Sequence, residues 1–337
     1  MTPVTSFELH RADARERLRA SGIVRPGPGS VSWQINREIL VVAGWGRAIL
    51  LQLAHPLVAA GIDGHSNFRG GLSSGIKRLR STIGAMLSLT FGSDEEAIAA
   101  AAGINVIHDR VSGSLSFPAG RFPAGARYSA HHAELLRWVH ATLVDSIPRT
   151  YELLVGSLTD AEQEHYCVDV VVMEPLLDIP TGLLPRSRAD LDTYMSDILC
   201  SCTMAVTDGS RRLARAVLFP PGWRLVWPVF RPVQLITIGL LPSAVRHAYG
   251  FEWTDRDARA LVRWTTVLKF LLRVTPAVFR HWPASRKHAS IATPTPLRPL
   301  AKFQAGSLLV ELITQRLARS EKLTMELRQD QTRRERS

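Results

Sequence analysis

The side chains best suited to chemistry in this 337-residue chain are its eleven histidines. Several lie in apolar helical surroundings, where an unpaired imidazole is costly to bury. His108 is the clearest case, because Ile104 and Val111 flank it at i−4 and i+3 and place its ring on an apolar helix face. Such a ring is either a core histidine bonded to a backbone carbonyl or the single axial ligand of a heme.

Two more histidines can each be interpreted either as a structural residue or as a residue of a functional site. His140 shares a helix face with Leu136 and Leu143, which is typical of a structural histidine. His65 follows a long apolar stretch and precedes a glycine-rich turn, so it is either a site residue or a hydrogen-bonding residue at a helix end.

A compact basic and polar cluster comes next in the chain, at Arg78, Arg80 and Thr82. Arginine near a helix start is unfavourable for the helix dipole, so a nearby anion such as a heme propionate or a substrate carboxylate would explain it. The alternative is a solvated basic turn.

The sequence motifs of several other kinds of site are absent or incomplete in this chain. The chain has no glycine-rich phosphate loop. Its three cysteines form no Cys-x-x-Cys pair, which argues against a disulfide framework and a thiolate zinc site. A di-iron site needs two Glu-x-x-His motifs, and only Glu162 with His165 has that spacing.

The elements that must position these residues are predicted to be helices. Ser93 with Glu96 and Thr159 with Glu162 have capping-box form, and a further helix is expected to begin after Thr254 and to end before Pro276. The pattern indicates an all-α protein with about ten or more helices. We expect one large helical domain over 31–282, an N-terminal helix and linker over 1–30, and a linker with an amphipathic helix and tail over 283–337.

Two apolar stretches raise the question of a membrane. Residues 39–62 carry one formal charge, Arg47, which favours a buried core helix over a membrane span. Residues 225–245 are interrupted by prolines and cannot form a clean span. They are a candidate surface for peripheral membrane contact or for shielding a lipophilic substrate channel.

The net charge of +11 raises nucleic acid as a partner. The arginines are scattered along the chain, however, and no zinc-finger or RRM signature is present, so no nucleic-acid partner is expected. The N-terminal residues form no apolar signal sequence, which predicts a cytoplasmic protein, with peripheral membrane contact as an option.

Five motifs in order give the chain a family resemblance. They are LLQLAHPLVAAG at 50–61, HSNF at 65–68, RLRST at 78–82, HDRVSG at 108–113 and WVHATLVDS at 138–146, and LLP at 240–242 with YGFEW at 249–253 extends the match. Over roughly residues 35–280 the chain resembles the oxygenase family that includes the latex-clearing rubber oxygenases and the mycophenolic-acid pathway oxygenase.

The resemblance implies a globin-like helical core around heme b. His108 matches the family's proximal iron ligand, and Arg78 and Thr82 match polar residues on the distal side. Ser81 stands where the rubber enzymes carry a lysine that can cap the resting iron. This difference predicts another resting state and argues against polyisoprene as the substrate.

The function expected from the resemblance is a heme-dependent oxygenase, hence an oxidoreductase. It would act on a lipophilic small molecule, an isoprenoid or other alkene, with dioxygen or a peroxide. Arg78 and Thr82, with His65 or Asp63, would supply hydrogen bonds or act as acid and base, while His108, Arg78, Ser81 and His140 would form the cofactor-binding set. The alternative is a non-catalytic heme-binding or membrane-associated helical protein.

Overall fold

The computed structural model describes residues 5–65, 71–219 and 227–287. Within these ranges the side chains of residues 65, 71–80 and 227–229 are not described. The regular secondary structure of the described residues is helical apart from one two-stranded antiparallel hairpin, in which β1 (Ser112–Ser114) pairs with β2 (Arg127–Ser129). The expected all-α class is therefore confirmed, whereas the globin-like arrangement of the core stays a prediction.

The sixteen α-helices of the described residues follow one another along the chain. They are α1 (Ser6–Ser21), α2 (Val31–Asn36), α3 (Val42–Leu53), α4 (Pro56–His65), α5 (Gly71–Phe91), α6 (Asp94–His108), α7 (Ala133–Leu154), α8 (Asp160–Asp169), α9 (Met173–Leu177), α10 (Arg188–Cys200), α11 (Asp208–Leu218), α12 (Trp227–Gly239), α13 (Ser243–Tyr249), α14 (Asp255–Val274), α15 (Ala277–Arg280) and α16 (Pro283–Lys287).

Helix starts follow local sequence signals. The Ser93 and Thr159 side chains each accept a hydrogen bond from the backbone three residues on, and Glu96 and Glu162 return it, so both expected capping boxes are present. Thr254 caps α14 in the same way, and that helix ends at Val274, two residues before Pro276. These predictions are confirmed because caps depend only on neighbouring residues.

The core forms where α3 crosses α7. Gly44 lets the two backbones approach closely, because a Cβ atom there would lie 2.7 Å from Thr150 Oγ1 and 2.9 Å from Ser146 O. Apolar side chains from α3, α7, α8, α10, α11 and α13 surround this crossing. A second apolar cluster joins α12 and α14 to the other side of α7.

The apolar stretch 39–62 is two helices, not the one long helix expected from its composition. The chain breaks at Ala54 and His55, and the segments Ile39–Leu53 and Pro56–Gly64 meet at 102°. Together these two segments pass a length-and-hydropathy test for a membrane span, while no single helix in the described ranges does. The expectation that this stretch is buried holds for α3, where Leu50, Leu51 and Leu53 are almost fully inaccessible.

The described part of 225–245 is also largely buried. Leu235, Ile236 and Ile238 of α12 lie in the core, as does Leu241 after its end, so these side chains do not form an exposed apolar surface. Membrane contact through this segment stays a prediction that these burial values do not support.

Candidate functional site

The candidate site is built on the hairpin of α5 and α6. The helices fold back on each other at Gly92, and Met86 and Leu89 of α5 share an apolar cluster with Ile98 and Ile104 of α6. In an antiparallel hairpin of this length we expect the residues before Met86, including 78–82, to run beside the last turns of α6. The proximity of Arg78, Ser81 and Thr82 to His108 therefore stays a prediction.

His108 is the last residue of α6, and its ring is half-buried. Its Nδ1 atom has no hydrogen-bond partner among the described residues. Burial, with the neighbouring His131 second, lowers the pKa of His108 from 6.5 to about 4. The imidazole is therefore neutral at physiological pH, which is the form that binds a metal.

A cluster of hydrogen-bonded polar side chains lies beside His108. The His131 ring stands edge-on to the His108 ring, with centroids 5.7 Å apart and planes at 84°. Asp109 accepts hydrogen bonds from His131 Nε2 and His10 Nε2, both at 2.8 Å, and from Ser6 Oγ at 3.0 Å. Those two histidine bonds lower the pKa of Asp109 to about 2. The N-terminal helix α1 is thus tied to the end of α6.

Asn105 lies one turn before His108 on α6 and is the strongest sign of an unmet interaction. Its side chain is 1% exposed, and neither its Oδ1 nor its Nδ2 atom has a hydrogen-bond partner within the described ranges. Buried amides in folded proteins are almost always paired, so this one has capacity for a ligand. Sequence reasoning missed Asn105, although a polar residue at i−3 from His108 on an apolar face was the available signal.

His140 and His55 are two further buried imidazoles. His140, on α7, has no described partner for Nε2, and His55, at the break between α3 and α4, has none for Nδ1. Burial lowers the pKa of each from 6.5 to about 4. His140 is buried, and its place in the expected cofactor-binding set stays a prediction. His55 is not among the site residues expected from the sequence, although it lies in the first motif of the family resemblance.

Of the remaining predicted site residues, Asp63, Ser81 and Thr82 have side chains that the structure describes. Asp63, on α4, is 44% exposed and forms an ion pair with Arg212 of α11 at 3.0 Å. That pairing leaves the predicted role of Asp63 as an acid or base without support. Ser81 and Thr82 are exposed on α5. The side chains of Arg78 and His65 lie outside the described residues, so their roles stay predictions.

The end of α4 nevertheless lies against the strands that follow His108. A Cβ atom on Gly61 would lie 3.2 Å from Val111 Cγ1, and one on Gly64 would lie 3.3 Å from the Tyr128 hydroxyl. The backbone next to His65 is therefore close to the hairpin that begins four residues after His108. The fold brings the first and fourth family motifs together.

The residues present fit a heme. The chain offers a neutral axial imidazole at the end of a capped helix, an unpaired buried amide one turn away, and a largely apolar α5–α6 interface. A di-iron site is not supported, because no group of three or more His, Cys, Asp or Glu side chains with metal-binding geometry occurs among the described residues.

Comparison with known proteins agrees with the motifs. The family model described as "ER-bound oxygenase mpaB/B'/Rubber oxygenase, catalytic domain" matches residues 33–270. No curated protein and no solved structure matches the chain. The family match spans more than half of the sequence and contains every site residue discussed above except His10 and Ser6. The chain therefore belongs to the family of the mpaB and rubber oxygenases.

Proposed function

We propose that this protein is a heme b-dependent oxygenase that acts on a lipophilic small molecule, such as an isoprenoid or another alkene. The observation that carries the proposal is the His108 imidazole, which is held neutral by burial at the end of α6 within the matched catalytic domain. The family is one of oxygenases, which supports an oxidoreductase activity.

His108 would hold the iron through its imidazole, and His131, fixed by Asp109, would keep that ring from turning. When bound, the heme would supply redox chemistry with dioxygen or a peroxide, which the side chains of this chain lack. The unpaired Asn105 amide would donate or accept one hydrogen bond at the cofactor or its ligand.

The polar residues of α5 would provide the protons and hydrogen bonds. Arg78 is proposed to pair with an anionic group of the cofactor or substrate, and Thr82 to donate a hydrogen bond to the oxidant. Ser81 replaces the lysine of the rubber enzymes with a short neutral side chain, which leaves more room on that side. His140, kept neutral by burial, is proposed to contact the cofactor or to brace its neighbours.

Replacing His108 by alanine tests the assignment directly. We expect the variant to lose the heme Soret band and its iron after reconstitution and gel filtration, because no other described histidine occupies the end of α6. His165→Ala is the matched control, since that histidine is exposed on α8 and should leave the spectrum unchanged. A normal Soret band in His108→Ala would contradict the proposal.

The non-catalytic alternative is distinguished by a second measurement on the wild-type protein. A heme-loaded protein that consumes no dioxygen or peroxide with any member of an alkene panel would be a heme carrier. A protein that takes up neither heme nor iron would be a heme-free helical module.

A further inference from the structure

Helix α14 has two apolar faces, although a helix at the edge of a soluble domain needs only one. The inner face packs against α12 through Leu261, Trp264, Leu268 and Leu272. The outer face follows the same spacing and is exposed. It consists of Val267, Phe270, Leu271 and Val274, and α15, which follows α14 in the chain, exposes Val278 and Phe279.

The exposure of this outer apolar face is large. Phe270 is 62% exposed and Phe279 is 73% exposed, and each of the other four side chains is at least 40% exposed. Single exposed apolar residues are normal, but six on one helical face and its continuation mark an interaction surface. Every predicted site residue precedes residue 141 and every residue of this surface follows residue 255, and the inference does not depend on the proposed function.

Basic residues occupy the first half of the same helix face. Arg256, Arg259 and Arg263 are exposed, and at 100° per residue they fall within about 80° of Val267 around the helix axis. None of the three forms an ion pair with the described residues. The outer side of α14 is therefore basic in its first half and apolar in its second half.

The charge distribution on the outer side of α14 indicates which kind of partner binds there. A second copy packed antiparallel on the apolar half would leave the three arginines beyond the contact, so it would match only one half of the face. The C-terminal residues 288–337 carry nine basic and five acidic side chains, so they are themselves basic. An anionic lipid surface matches both halves, because it attracts the arginines and accepts the apolar side chains below its headgroups.

We propose that the outer face of α14 and α15 is a docking surface for an anionic phospholipid membrane. The C-terminal half of α14 and the α15 turn insert Phe270 and Phe279 among the acyl chains. Arg256, Arg259 and Arg263 contact the lipid phosphates. The contact is peripheral, since it uses one side of one helix and the turn that follows it.

Vesicle sedimentation of the full-length protein tests this surface. We expect binding to vesicles of phosphatidylcholine with phosphatidylglycerol, much weaker binding to phosphatidylcholine alone, and weakening by salt. The double variant Phe270→Ser/Phe279→Ser should bind about tenfold more weakly. Phe117→Ser is the matched control, because Phe117 is 56% exposed elsewhere on the protein, and its binding should equal that of the wild type.

A cysteine at position 270 tests whether the face is open before lipid is added. In Phe270→Cys, mass spectrometry of the labelled peptide should show rapid alkylation in solution and protection by anionic vesicles. Slow alkylation without lipid would mean that the chain itself covers the face, and would overturn the proposal. Rapid alkylation with no vesicle binding would overturn it in favour of an acidic protein partner.

Discussion

At the scale of single residues, several polar groups are buried without a partner in the part of the chain that the structure describes. Asn105, His108 and His140 each have at least one side-chain atom that is buried and unpaired among the described residues. Each such group destabilises the folded protein by about 1 to 3 kcal/mol. Such groups are expected where a bound molecule completes the hydrogen bonds, which fits a cofactor-binding protein.

Replacing Asn105 by leucine separates structure from binding. In the heme-free protein we expect the free energy of unfolding to rise by about 1 to 3 kcal/mol, because a buried unpaired amide is removed at nearly constant volume. Heme affinity should fall at the same time. Urea denaturation and heme titration of the variant measure the two effects.

Asn36→Leu is the control for this substitution. The Asn36 amide donates to Ser32 O at 2.8 Å, so its loss should lower the free energy of unfolding. If heme-free Asn105→Leu were also less stable than the wild type, Asn105 would have a purely structural role.

At the scale of elements, a buried ionic cluster joins α3, α7 and α10. Asp145 of α7 is 2% exposed and contacts Arg47 of α3 at 2.7 Å, Arg149 at 2.7 Å and Arg188 of α10 at 3.4 Å. Burial alone would raise the pKa of Asp145, but the three arginines hold it well below its usual range. This cluster explains why the apolar helix α3 tolerates Arg47 at its centre.

The substitution Asp145→Asn should destabilise the protein by about 3 to 5 kcal/mol, because it leaves the buried Arg47 guanidinium without its counter-charge. Urea denaturation at neutral pH measures the loss. Asp192→Asn is the control, since Asp192 is half-exposed and its removal should cost less than about 1 kcal/mol. Equal losses of unfolding free energy in the two variants would show that burial of the Asp145–Arg47 pair does not determine how much the pair stabilises the protein.

At the scale of the whole molecule, the buried histidines make stability depend on pH. The pKa of His55 and that of His140 are about 4 in the folded protein, against an ordinary value of 6.5. Between these values the unfolded chain binds protons that the folded chain does not. Stability is therefore fully present above about pH 6.5 and falls as the pH drops toward 4, by up to about 1.4 kcal/mol per pH unit for each histidine.

Urea unfolding of the heme-free protein at about pH 7 and about pH 5 measures this dependence. The double variant His55→Gln/His140→Gln should show a shallower decline, whatever its stability at neutral pH. His165→Gln should keep the wild-type decline because His165 is exposed. An unchanged decline in the double variant would mean that other groups control the acid sensitivity.

The sequence by itself determined the helical class, the capped helix starts, the order of the family motifs and the choice of His108. Caps and helical periodicity depend on residues within a few positions of one another, so they can be read from the chain directly. Motif order also needs no coordinates. The structure confirms the helical class and the caps, and the family match confirms the family that the motifs indicate, while the role of His108 stays a prediction.

Only the tertiary structure decided which polar residues find partners across the fold. Asp63 pairs with Arg212, Arg47 with Asp145, and Asp109 with His10, and these partners lie from 98 to 149 residues apart in the sequence. The break at His55 and the unpaired state of Asn105 depend in the same way on distant packing. No local pattern encodes such contacts, because the physical forces that set them act between elements that become neighbours only when the chain folds.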